Sequence, residues 1–356
     1  MMENKKRLDY IDIGKGVGML AVVWGHIMLS GWSNLMVYAF HIPLFFFLSG
    51  MMFKPEKYNS FGAFLKRRWE TLIIPYFVYS IVTWIIWAGY SYVSNATVES
   101  YWMPLFQTVI AQGSGGFMVH NVPLWFVTCL FMVEVFYYFI CKLSDWLNFI
   151  VSIIMAVLAC HASDLVIEGY RFDLLPWNME VAFAAVLFYC IGNLLVKHVG
   201  LMNLYQSVKN NVFVSWLIVI LFTVLLVYWG LQNGAISMGH FFLGYNHYMF
   251  YINALFGIVS TLTFCILLSI MKVKTGGGLL KYLTWFGRNS YDAMVIHVPI
   301  KGIIIVVLTK LVGWSNVSNN IIYSLVAFII TMVVTSFIVY LINYGKKYYS
   351  NNLIKK

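Results

Sequence analysis

An all-α, polytopic membrane bundle is the fold class this sequence predicts, and three observations predict it. Hydrophobic residues fill 61% of the 356 positions and charged residues only 10%, a balance that cannot cover a soluble surface. The apolar residues gather in runs of roughly 20, the length of a helix crossing a bilayer and not of a barrel strand. The basic residues fall in alternate connecting segments, as the positive-inside rule requires. Apolar content extends along the whole chain, so one transmembrane domain is expected over residues 1–356.

About ten spans are expected, near 14–30, 37–53, 71–91, 123–141, 147–161, 180–196, 212–230, 249–271, 290–308 and 320–342. Of the 23 lysines and arginines, all but Arg171, Lys301 and Lys310 lie in the start, the tail and every second loop. That places both termini in the cytoplasm. It also accounts for the net charge of +10 without nucleic acid. Lys5, Lys6 and Arg7 ahead of an apolar run resemble a signal peptide, but Asp12 and Lys15 interrupt the run and no convincing small-x-small cleavage site follows. A retained first helix is expected. The five cysteines show no metal-type spacing and no disulfide framework.

The first span carries the most chemistry. It reads D-I-G-K-G-V-G-M-L-A-V-V-W-G-H from Asp12 to His26. At about 100° per residue, Asp12, Lys15 and His26 share one helix face. Ionisable groups inside a membrane segment are costly and functional by default. A neutral imidazole can take a proton from a hydroxyl near neutral pH, so His26 is the candidate general base. Asp12 lies about 21 Å along the helix from it and is expected to pair with Lys15, one turn away.

In the second span, F-H-I-P-L-F-F-F-L-S-G, Pro43 is expected in a first helical turn. Ser49 and Gly50 are small enough for close helix approach or ligand passage. Ser49 lacks the strand–turn–helix elbow of a serine nucleophile. Lys66-Arg67-Arg68 precedes the third span, as an interfacial anchor or as a phosphate site. The fifth span is short, tilted or partly re-entrant. By depth, Glu134 in the fourth span and His297 in the ninth reach the level of His26. His41 sits in the outer third of the second span, and Lys301 one turn beyond His297. Gly276-Gly277-Gly278 reads as a flexible loop without a Walker pattern. The outer segments 92–122, 162–179 and 231–248 are polar and aromatic, suited to a carbohydrate or simply to an aromatic belt. No internal repeat is visible, which weakens a transporter of inverted repeats.

These residues carry a family resemblance. The chain resembles the acyltransferase 3 family of membrane O-acyltransferases, most closely its sugar and exopolysaccharide O-acetyltransferases. The matching blocks are Lys15 to His26, F-H-I-P-L-F-F-F-L-S-G at 40–50 and K-R-R-W-E-T-L-I-I-P at 66–75. P-L-W-F at 123–126 with Glu134, L-P-W-N at 175–178 and G-R-N-S-Y at 287–291 before His297 complete the set. Lys15 stands where many members carry arginine, and Arg67 and Arg68 are adjacent where an R-x-x-R spacing is common.

The resemblance implies acetyl-CoA as cytoplasmic donor, no metal, and transfer to a saccharide or glycolipid acceptor from within a bacterial plasma membrane. His26, Lys15, Asp12, Glu134 and His297 would form the catalytic set. Lys66, Arg67, Arg68 and Ser49 would hold the donor, and His41 and Trp125 the acceptor. Membrane lipids are further expected partners, and a homodimer is left open; nucleic acid is not a partner. The rivals are a transporter or flippase of polysaccharide intermediates and a purely structural membrane protein.

Overall fold

The computed structural model describes residues 9–28, 31–93, 95–167, 169, 175–275, 277–314 and 317–353. The basic Lys5, Lys6, Arg7, Lys355 and Lys356, the outer-loop Glu168, Arg171 and Asp173, and Gly276 lie outside them.

Long helices stand at all ten expected positions. They are α1 (Asp9–Ile27), α2 (Trp32–Met52), α3 (Phe61–Arg68) running through a π-helical turn at Trp69–Ile73 into α4 (Ile74–Val93), α6 (Trp125–Ile140), α7 (Asp145–Ile167), α8 (Met179–His198), α10 (Val212–Asn233), α11 (His247–Thr275), α13 (Ser290–Leu311) and α14 (Ile321–Leu353). Three shorter helices sit between them: α5 (Met103–Ile110), α9 (Leu201–Asn210) and α12 (Gly278–Arg288). Among the described residues, nine helices are long and apolar enough to cross a membrane. The tenth, α1, has 19 residues but carries Asp9, Asp12 and Lys15, and its neighbours shield those charges. Arg288 at the end of α12 meets Asp9 and Asp12, and Lys346 of α14 meets Asp292 of α13. The first and last helices therefore have their terminal ends on the same side of the bundle, called here the basic end.

Three local expectations are corrected. α7 has 23 residues and is neither short nor re-entrant. Pro43 lies inside α2, which begins at Trp32; a missing backbone N–H is tolerated there because neighbouring helices surround the helix. Gly278, the last of the glycine triplet expected to form a flexible loop, instead opens the helix α12.

Backbone-to-backbone packing positions the core helices. A Cβ at Gly50 would strike the Tyr189 carbonyl, and one at Gly192 the Phe47 carbonyl, so α2 and α8 cross in direct contact. α1 and α12 do the same at Gly16, against Leu283, and at Gly287, against Asp12. Small residues allow this approach where apolar side chains gain nothing from leaving lipid.

Candidate active site

The site grows out of the two ends of α1. At the basic end, Asp12 is 5% exposed and accepts from Arg288 Nε at 2.9 Å, while Asp9 accepts from Arg288 NH2 at 3.0 Å. Helical spacing had proposed Lys15 as a partner of Asp12; Arg288 is a second cation, reached only through the tertiary fold. Its pairing with two carboxylates, first of all Asp12, raises the Arg288 guanidinium above its ordinary range.

At the other end, the last carbonyls of α1 lack intrahelical partners. Asn34 Nδ2 donates to Gly25 O at 3.3 Å and Met28 O at 2.6 Å, and Lys301 Nζ donates to His26 O at 3.4 Å. Side chains from α2 and α13 thus cap the turn that presents the His26 ring.

His26 and His297 are neighbours, with ring centroids 5.1 Å apart and planes tilted by 50°. His297 is fully buried. Its Nδ1 lies 2.7 Å from Met294 O and 3.2 Å from Ala293 O. A carbonyl only accepts, so Nδ1 carries the proton. Nε2 is then a bare acceptor, and it has no partner among the described residues. Pro299, two residues beyond His297 on α13, has no N–H to give to the Val295 carbonyl one turn back. Asn121 Nδ2 supplies that donor at 2.6 Å. The loop before α6 thereby fastens the helix segment that carries His297.

Two cavities meet at His26. The larger, about 190 Å³, runs from Lys15 past Ser49 and Leu72 to His26 and Trp125. Lys15 and His26 are about 16 Å apart along α1, so the cavity traverses much of the helix, with room for about six waters. The smaller, about 70 Å³, is lined by His26, Tyr38, His41 and Trp125 and by Ser237–His240 of the loop between α10 and α11. His26, Ile42 and Trp125 border both. The Trp125 indole is pressed between Gly113 and Gly239, where a Cβ would collide with it. His41 donates from Nδ1 to Val37 O at 2.7 Å, leaving Nε2 for the smaller cavity. The loop over that cavity is held by the Ser237–Phe242 bridge and by Ser237 Oγ against His240 Nδ1 at 2.7 Å.

The structure therefore brings Lys15, Ser49, His26, Trp125, His41 and His297 together. Glu134 stands apart from the cavity linings: Arg68 Nε lies 2.8 Å from its Oε2, and Tyr189 OH donates to Oε1 at 3.3 Å. Of the two groups expected at the depth of His26, His297 adjoins its ring and Glu134 is absent from the linings of both cavities. Of the basic cluster, Lys66 and Arg67 are exposed, while Arg68 turns inward. The cluster leads through the π-helical turn to Leu72, whose carbonyl accepts from Tyr291 OH at 3.2 Å and whose side chain lines the larger cavity. Arg288 and Asn121 were not singled out by sequence. Arg288 stood inside the G-R-N-S-Y block, whereas nothing in the sequence marks Asn121.

No metal cluster of three or more His, Cys, Asp or Glu groups occurs among the described residues. A search of curated proteins and of solved structures found no match. A family model described as an acyltransferase domain, Acyl_transf_3, matches residues 8–341. A polytopic helical bundle with a tunnel from its basic end to a histidine pair, matched by that model over nearly its whole length, belongs to the acyltransferase 3 family of membrane acyltransferases.

Proposed function

We propose that the protein moves an acetyl group from cytoplasmic acetyl-CoA to a hydroxyl of a cell-surface or lipid-linked saccharide, with His26 as general base. The observation that carries this reading is the pair of cavities sharing His26 and Trp125. One extends to the basic end, the other to a polar outer loop, so donor and acceptor approach the imidazole from opposite sides.

The thioester arm enters beside Lys15 and Ser49. Exposed Lys66 and Arg67 offer charge to the CoA phosphates, with Arg68 anchoring the cluster on Glu134. Asp12 and Arg288 frame the basic end of α1. His297 lies beside the His26 ring and keeps Nε2 free of any partner among the described residues. A His26 N–H directed there leaves the other His26 nitrogen unprotonated and facing the substrate. The acceptor hydroxyl, placed by Trp125 and His41, gives its proton to that nitrogen while its oxygen attacks the thioester carbonyl. The C–O bond forms and the C–S bond breaks. His26 returns the proton to the departing thiolate, releasing CoASH and the ester. The setting is the bacterial plasma membrane.

Acetyl transfer by the purified protein, followed by mass spectrometry of the glycan product, tests the reading. His26→Ala should fold normally and lose about 10²- to 10⁴-fold in turnover, the scale of general-base catalysis. Full transfer by that variant removes His26 from the mechanism. Saccharide flux across vesicles without acetyl-CoA consumption selects a transporter instead.

A further inference from the structure

A third cavity of about 140 Å³ lies between α4, α13 and the segment just before α6, and shares no lining residue with the two at His26. It has room for about five waters. Three of its walls have different chemistry. His120 is 2% exposed, and neither ring nitrogen has a partner among the described residues. Lys301 borders the cavity and uses one of its three donors on the His26 carbonyl; no carboxylate pairs with it among the described residues. Ile86 and Ile303, which also line the opening, are 41% and 44% exposed on the flank of a membrane helix.

Buried polar groups are almost always partnered, so a fully buried imidazole with two open positions indicates a missing ligand. An ammonium within an apolar helix indicates that the ligand is anionic. A lipid-facing rim indicates that the ligand arrives from the bilayer. Burial pushes the His120 imidazole down to about 4, so it is neutral near pH 7. A neutral ring donates one hydrogen bond and accepts one, which suits an oxyanion beside a hydroxyl or ester oxygen.

We propose that this cavity binds a lipid-borne phosphate, held by Lys301 Nζ and His120, with the lipid chain along Ile86 and Ile303. Because Lys301 also caps the turn carrying His26, an occupant of this cavity is one residue removed from that imidazole. The phosphate comes either from a bilayer phospholipid or from a phosphate-linked lipid carrier. Binding here does not depend on acyl transfer.

The test is saturable binding to the full chain in detergent, read by thermal shift and native mass spectrometry. The probes are phosphatidylglycerol, a polyprenyl phosphate and, as the neutral control, diacylglycerol. At least one phosphate lipid should bind and diacylglycerol should not; the phosphate lipid that binds more tightly identifies the source. Lys301→Met should weaken binding about tenfold or more, the scale of a charge-assisted hydrogen bond. Gly302→Leu fills the cavity without touching a charge, and a Cβ there meets nothing within 4 Å, so the variant should fold and lose binding. Equal binding of diacylglycerol, or wild-type phosphate-lipid binding by Gly302→Leu, overturns the assignment. His26→Ala should keep the phosphate lipid, which separates this result from that of the transfer assay.

Discussion

The Arg68–Glu134 pair sets up a quantitative test of what the basic cluster does. The two side chains are 22% and 5% exposed, and Arg68 also lies over the Phe64 ring at 5.8 Å. Arg68→Met keeps most of the stem packing but strips the buried carboxylate of its cation. Breaking a buried pair from one side costs about 3–5 kcal/mol. Glu134 keeps the Tyr189 hydroxyl at 3.3 Å, which places the loss near 3 kcal/mol. Glu134→Gln strands an arginine that can turn toward water, at about 1–2 kcal/mol. The double variant leaves neither charge alone. It should therefore be more stable than the sum of the single losses by about 1–2 kcal/mol. Denaturant or thermal unfolding of all four proteins in one detergent gives the cycle. Additivity within about 0.5 kcal/mol would refute the pair as an anchor. Acetyl-CoA affinity adds a second reading. If Arg68 acts by anchoring α3, Glu134→Gln should weaken donor binding as Arg68→Met does. A loss confined to Arg68→Met would mean that Arg68 contacts the donor.

Three further outcomes follow from the packing. Gly192→Leu forces a side chain into the Phe47 carbonyl and should cost at least about 3 kcal/mol, the upper range for overpacking; expression and unfolding temperature report it, and a neutral effect would mean that α2 and α8 are not in backbone contact. Asn121→Ala should cost about 1–2 kcal/mol in the natural sequence and less in a Pro299→Ala background, where a restored N–H serves the Val295 carbonyl; equal costs in both backgrounds would sink that pairing. His120 binds its proton more weakly folded, at about 4, than unfolded, at about 6.5. Its contribution to stability is therefore complete above about pH 6.5 and is lost as pH falls toward 4. His120→Phe should flatten unfolding temperature across that window, and an unchanged slope would show that this ring is not the titrating group.

The spans were legible because length and charge act one segment at a time. The errors came where local signals conflicted. Cys160, His161, Ser163 and Asp164 made the apolar run look finished at 161, yet the helix continues. One of those polar groups is satisfied in the bundle: Ser163 Oγ donates to Phe241 O at 2.9 Å. The glycine triplet hid α12 because glycine usually marks a loop. Within the site, the shared face of Lys15 and His26 followed from helix arithmetic, and both line one cavity. The partners contributed by distant helices did not follow. Asp12 meets Arg288 across 276 positions, and no periodicity encodes which helices become neighbours. His120 gave no signal, since only the tertiary arrangement buries it.

That long-range pair bears on how the protein is assembled. α1 is synthesised well before α12, so its Asp9 and Asp12 meet Arg288 only once that later segment has been made. Until then Arg288 is missing from the basic end of that helix, and among the described residues α1 is the long helix left outside the nine apolar enough to span on that criterion. An early helix is thus secured by a late one. An incomplete chain ending before Arg288 would leave α1 loosely held, so completion of the tunnel is tied to completion of the polypeptide.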